Sequence, residues 1–168
     1  GLSWLGGGGV PAPEGRALQA GAFRVTLEIP SEAPLGGYVR RLGRSAVGTH
    51  DPIRVRALYL EDGDTGIVLV SADLHSITPE LRERVLGLAP ADLAENHIIL
   101  TATHTHNGPG GLSKSWVARR YMGRYMDEMV ELVAQGIADA IAEAMAGKKR
   151  ATIGFKVAAE RKSTRLNS

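Results

Sequence analysis

The stretch from Gly66 to Thr103 constrains the fold more than any other part of the sequence. It holds two apolar runs, Ile67-Val68-Leu69-Val70 and His97-Ile98-Ile99-Leu100-Thr101-Ala102-Thr103, separated by a segment with the marks of a helix. Thr78 and Pro79 suit an N-cap and first helical position, and Leu81, Val85 and Leu88 follow at helical spacing up to Pro90. A strand, a helix and a second strand in that order predict two parallel strands of one sheet joined by a right-handed crossover.

The flanking sequence extends this unit. Ile53, Val55, Ala57 and Tyr59 alternate with Arg54, Arg56, Leu58 and Leu60, and Glu61-Asp62-Gly63-Asp64 then makes a turn. This predicts a β-hairpin whose second strand, Ile67 to Val70, is buried on both faces. Phe23, Val25, Leu27 and Ile29 predict a half-buried strand that stops at Pro30. Ser31 to Pro52, dense in Gly, Pro and Arg, reads as a long irregular loop containing Leu35-Gly36-Gly37-Tyr38. A loop of that length is uncommon in a compact domain unless it serves a site. Tyr121, Tyr125, Met129, Leu132, Val133, Gly136, Ile137, Ala140, Ile141 and Ala144 recur every three or four residues, which predicts one long helix ended by Gly147 and Lys148-Lys149-Arg150. Its tyrosines and methionines read as core. Ala151 to Val157 reads as a further strand. The expected fold class is α/β: a mixed β-sheet with a parallel strand-helix-strand unit and one long helix packed on it.

A chain of 168 residues, 43% hydrophobic, is enough for one compact domain. The formal charge is +2, and Arg161, Lys162 and Arg165 in the last eight residues carry three positive charges, so the remainder has no basic footprint for nucleic acid. The absence of cysteine excludes a disulfide scaffold and a thiolate metal site. There is no internal repeat and no complete transmembrane span in the sequence. Residues 1–19 read as a disordered leader or linker, although Leu2-Ser3-Trp4-Leu5 before four glycines equally suits the last turn of a signal sequence or membrane anchor. A secreted, periplasmic or membrane-anchored protein is expected ahead of a cytoplasmic one. Residues 161–168 resemble the in-frame translation of a sequencing-adapter oligonucleotide, which makes 20–160 the expected domain, an incomplete catalytic one.

The chemistry-bearing segment is Thr101-Ala102-Thr103-His104-Thr105-His106-Asn107-Gly108-Pro109-Gly110-Gly111. If the strand runs on, period-two geometry puts His104 and His106 on one face, where one cation or one substrate group could meet both. In a parallel unit, Ser71-Ala72-Asp73-Leu74-His75 leaves the sheet at the same edge as His104 and His106, and ligands of open α/β sheets bind outside such carboxyl ends. Gly110 and its glycine neighbours add backbone that can approach a ligand closely. Asp73 suits either a site wall or a cap, and His75 either a ligand or a solvated loop residue. His50 reads as a turn residue and His97, at a strand start, as a surface or half-buried histidine.

Thr101 to Gly111 closely resembles the Thr-His-Thr-His-Ser-Gly-Pro-Gly-Gly signature of the neutral/alkaline, non-lysosomal ceramidases. Ala20 to Thr26, Pro34-Leu35-Gly36-Gly37-Tyr38, Gly48 to Leu60 and Val70-Ser71-Ala72-Asp73 resemble other pieces of that family in the same order. The resemblance implies a zinc-dependent amidohydrolase that cleaves the N-acyl amide of ceramide to sphingosine and fatty acid, with a lipid-like substrate and association of the longer protein with a membrane surface. It implies that His104 binds Zn2+ and that His106 acts beside the metal on the substrate or transition state. The family's remaining ligands, a His, a Glu and a Tyr, would come from segments downstream. This chain alone is therefore expected neither to hold zinc tightly nor to turn over ceramide. Two departures stand out: Asn107 replaces the usual Ser, and His75 stands where familiar members often have Gly. Two other readings stay open, a ligand-binding α/β module without catalysis and a metallohydrolase acting on another amide or ester.

Overall fold

A computed structural model describes residues 17–154. The expected leader up to residue 16, the end of the expected last strand and the adapter-like tail lie outside them. The described chain runs β1 (Gln19–Leu27), a short 3-10 turn (Val39–Arg41), β2 (Ile53–Asp62), β3 (Thr65–Ala72), α1 (Pro79–Leu88), a second 3-10 turn (Glu95–His97), β4 (Ile98–Ala102), α2 (Arg119–Met122), α3 (Asp127–Ala146) and β5 (Lys149–Arg150).

The five strands form one sheet in the order β4-β3-β2-β1-β5. β2 and β3 are the expected antiparallel hairpin, closed by Gly63 and Asp64, with Gly63 at φ 62°. β3 and β4 are parallel, with Ser71 opposite Thr101 and Ala72 opposite Ala102. Thr78 caps α1 as its sequence suggests: its hydroxyl accepts from the Leu81 amide at 3.2 Å and donates to the Leu112 carbonyl at 2.6 Å. Such a cap is worth about 1 kcal/mol, and here it also ties the start of α1 to the segment after the glycine turn.

The core lies on one face of the sheet. Val55, Ala57, Tyr59, Val68, Val70 and Ala72 meet α1 through Leu81 and Val85, and α3 through Val133, Ile137, Ile141 and Ala144. The expectation that β3 is buried on both faces does not hold. Leu58, Leu69 and Ile99, side by side across β2, β3 and β4, are 39%, 38% and 43% exposed, because both long helices pack on the other face.

Three boundaries also differ from the expectations. The long helix begins at Asp127, because Gly123 breaks the pattern at φ 75°. A side chain there would strike Pro34 and Gly43, so the break is set by a loop eighty residues away in sequence. Tyr121 therefore lies in α2, and Tyr125 in the connection to α3. β1 ends at Leu27 and leaves Ile29 beyond it. The last strand is the pair Lys149–Arg150, and Ala151 to Gly154 are not in it.

Candidate active site

The two parallel strands deliver their following loops to one place. The Asp73 amide donates to the Arg54 carbonyl at 2.9 Å and the Thr103 amide to the Ala72 carbonyl at 2.9 Å, after which the chain leaves the sheet on both sides. His75, His104 and His106 converge there, each with a ring nitrogen within 4.8 Å of the others.

The pleat is not what brings His104 and His106 together. β4 ends at Ala102, and His104 has left-handed backbone at φ 60°, a conformation uncommon for a residue with a Cβ. This turn aims the His104 ring back at the β3 side. Its Nδ1 lies 2.8 Å from the His75 carbonyl oxygen, to which it donates, leaving Nε2 unprotonated. That Nε2 lies 3.4 Å from Nε2 of His106. Nδ1 of His106 is buried without a partner. A buried unpaired N–H is rarer than an under-satisfied acceptor, so the His106 proton belongs on Nε2, facing the site.

His75 stands against both partners, with ring centroids 4.4 Å from His104 and 5.0 Å from His106, and 5.4 Å from Tyr121. Burial holds its pKa below the usual 6.5, and the two neighbouring imidazoles add to the effect. The shift favours the neutral ring.

The long loop serves this site, as its length suggested. Pro34 and Leu35 bridge to Ser45 and Pro109, the Gly36 amide donates to the Gly108 carbonyl at 3.0 Å, and the Gly37 amide to the Tyr121 carbonyl at 2.9 Å. Gly37 sits at φ 109°, and a Cβ there would come within 2.7 Å of His106. Tyr38 meets the His106 ring edge-on at 4.8 Å. Arg41 then grips the histidine loop with a fork: Nη1 donates to the His106 carbonyl at 2.6 Å and Nη2 to Oδ1 of Asn107 at 2.7 Å, while the guanidinium lies 4.6 Å over the Tyr38 ring. Arg41 escaped the sequence reading. Its only signal was a cluster of arginines, Arg40, Arg41 and Arg44, in a loop already marked as serving a site.

Other expected residues fall outside the cluster. Asp73 accepts from the Arg54 amide at 3.1 Å and pairs with the Arg56 guanidinium at 3.0 Å, so it braces β2 against the loop. It also lines a cleft of about 680 Å³ beside the histidines, together with Ile29, Leu35, Val47, Thr105 and Asn107. Gly110 is buried, and a side chain would collide with the Met122 carbonyl. Its amide donates to the Pro34 carbonyl at 2.6 Å, so its smallness serves packing between the long loop and α2. His50 is exposed and paired with Asp51 at 2.8 Å, and the hydrogen bond its ring donates to that carboxylate raises its pKa. It lies on the rim of the cleft and not among the three histidines. His97 is half-buried in the turn before β4.

The donor set fits a divalent zinc-type cation. Among the described residues three imidazoles share one place without a carboxylate, His106 with its proton facing the site, and His104 has its outer nitrogen fixed by a carbonyl, as metal-bound histidines commonly do.

Comparison with known proteins identifies the family and the fold. Residues 21–163 match the model of the family described as neutral/alkaline non-lysosomal ceramidase, N-terminal. The chain is 35% identical over 83 residues to a neutral ceramidase of Mycobacterium tuberculosis, covering 45% of this chain and 13% of that protein. It is 35% identical over 89 residues to a neutral ceramidase of Pseudomonas aeruginosa, covering 49% and 13%. It is 32% identical over 103 residues to neutral ceramidase B of Dictyostelium discoideum, covering 58% and 14%. The crystal structure of the Pseudomonas aeruginosa neutral ceramidase superposes with a TM-score of 0.71 at 26% identity, over 80% of this chain and 22% of that one. A ceramidase complexed with C2 superposes at 0.70. The chain thus spans about one seventh of the length of these curated relatives.

Proposed function

The chain belongs to the neutral/alkaline non-lysosomal ceramidase family, and on that premise we propose that it is the N-terminal part of a zinc-dependent amidohydrolase cleaving the N-acyl amide of ceramide to sphingosine and fatty acid. The observation that carries this reading is the pair of Nε2 atoms of His104 and His106, 3.4 Å apart at the carboxyl edge of the parallel strands, with Nδ1 of His104 against the His75 carbonyl and Nδ1 of His106 buried without a partner.

His104 holds the metal through Nε2, with the His75 carbonyl keeping its tautomer and ring direction. Zinc supplies Lewis acidity and, when bound, lowers the pKa of water to about 7. His106 presents its Nε2–H to the carbonyl oxygen of the amide, where negative charge develops during attack. Arg41 and Gly37 set the position of that ring from behind. Ile29, Leu35 and Val47 give the neighbouring cleft an apolar wall that suits a hydrocarbon chain.

The substrate would be drawn from a membrane surface. Residues 33–50 and 104–126 contain no Asp or Glu, and carry Arg40, Arg44, Arg119, Arg120 and Arg124 beside exposed Leu42, Trp116 and Val117. Cations interleaved with apolar side chains are the composition of an interfacial surface. Among the described residues no helix is long and apolar enough to cross a membrane.

The test is the gene extended to the length of the relatives. A downstream His, Glu and Tyr together with chelator-sensitive release of fatty acid from ceramide support the reading. Their absence favours a binding module, and turnover of short N-acyl amides with a flat response to ceramide moves the substrate elsewhere.

A further inference from the structure

His75 has no work in the fold that its ring nitrogens perform. Its Nδ1 is 3.5 Å from the Ser76 hydroxyl, at the limit of a hydrogen bond, and the described residues offer the ring no carboxylate. Its backbone, in contrast, is fixed to His104 through the 2.8 Å contact between the His75 carbonyl and Nδ1 of His104. The two imidazoles are thus held in register by the very hydrogen bond that frees Nε2 of His104. Aromatic packing would explain a ring at this position, but a phenyl group would pack as well and would not place a base against two others.

We propose that His75 donates an imidazole nitrogen to the same divalent cation as His104, so that this chain alone supplies two nitrogen ligands from the ends of two adjacent parallel strands. This rests on the reading of His104 as a metal ligand. It adds a ligand to the set that the family resemblance implies, in which this position is often glycine. Zinc accepts a further imidazole readily, either as a fifth ligand or in place of a donor from elsewhere. His106 keeps its Nε2 proton and remains the donor to substrate. A consequence is that the chain binds zinc at micromolar concentrations without downstream residues.

The experiment is zinc titration of the 168-residue chain labelled with 15N, followed through the side-chain nitrogens of each histidine, with cobalt(II) titration of the wild type and of His75→Phe. Phenylalanine retains the ring packing against His104 and Tyr121, and the His75 carbonyl that holds Nδ1 of His104 stays in place. The expected result is that a ring nitrogen of His75 and Nε2 of His104 both shift on zinc binding. His75→Phe is expected to weaken cobalt by more than about 100-fold, beyond the ten- to hundredfold cost of losing an outer partner. If His104 shifts while His75 does not, and the variant binds cobalt like the wild type, the proposal is overturned and the reading of His104 stands. If the His104 nitrogens do not respond to saturating zinc, that reading fails and takes the proposal with it. The wild-type nitrogen signals decide the matter even where His75→Phe does not fold.

Discussion

Nδ1 of His104 and the carbonyl oxygen of His75 are 2.8 Å apart, so the loop after one strand sets the proton of a histidine on the loop after the next. His104→Ala in a protein of the relatives' length is expected to remove zinc and to lower kcat on ceramide at least about 1,000-fold, the scale of several kcal/mol of lost Lewis-acid stabilisation. Steady-state kinetics with metal analysis checks it, and a variant that keeps its zinc and its rate would sink the assignment.

Arg41 makes two charge-assisted hydrogen bonds to the histidine loop, at 2.6 and 2.7 Å. Arg41→Ala is expected to cost roughly 1–2 kcal/mol, a discounted value because the side chain is partly exposed. Arg41→Lys should recover little of it, since an ammonium cannot reproduce the fork. Thermal melts of the two variants measure this, and full recovery by lysine would show that charge alone suffices.

Gly37 has left-handed backbone and no space for a Cβ, which would stand 2.7 Å from His106. Gly37→Ala should destabilise by more than about 1 kcal/mol and displace the His106 ring. Denaturant unfolding reads the first effect and the His106 ring resonances the second. An unchanged midpoint would mean that the loop yields without cost.

Glu61 joins the sheet to the end of α3. It accepts from Lys148 at 2.6 Å and from the Tyr59 hydroxyl at 2.7 Å, and the Lys148 ammonium foremost, with the Tyr59 hydroxyl, holds its pKa below the usual 4.5. Tyr59, pushed up to about 12 by burial first and then by Glu61, remains a donor throughout. A depressed carboxylate stabilises the fold above its unfolded pKa, and that contribution is lost as pH falls through the folded value. Urea midpoints measured from pH 6 to 3 should therefore fall less steeply in Glu61→Gln than in the wild type. Parallel curves would remove Glu61 from the acid limb.

Vesicles carrying anionic lipid should retain the wild-type chain, and retention should drop several-fold with Trp116→Ala combined with Arg119→Ala and Arg120→Ala. Equal retention on purely zwitterionic vesicles would argue against the charged surface as its cause.

The sheet and α1 were legible because their signals are local: a period of two, a turn, a Thr-Pro cap. The break at Gly123 was not, because its cause is contact with Pro34 and Gly43 across the fold. The convergence of His75, His104 and His106 followed from parallel topology, yet its local mechanism did not. A left-handed residue at position 104 has no composition signal when the residue is histidine and not glycine. The packing role of Gly110 was not legible either: a glycine in a signature suggests ligand approach, and only the fold shows α2 against it. Arg41 carried no signal beyond its arginine cluster because its partners lie 65 and 66 residues away.

Among the described residues β4 is the outermost strand, paired with β3 on one flank only. The histidine loop is therefore a beam, anchored along one side for five residues and held at its far end by Arg41 and the bridges of the long loop to Gly108 and Pro109. A strand laid along the free flank would load that beam at its root. It would restrain Thr101 and Ala102, the two residues that lead into the left-handed turn at His104, so what borders β4 bears on the aim of the imidazoles.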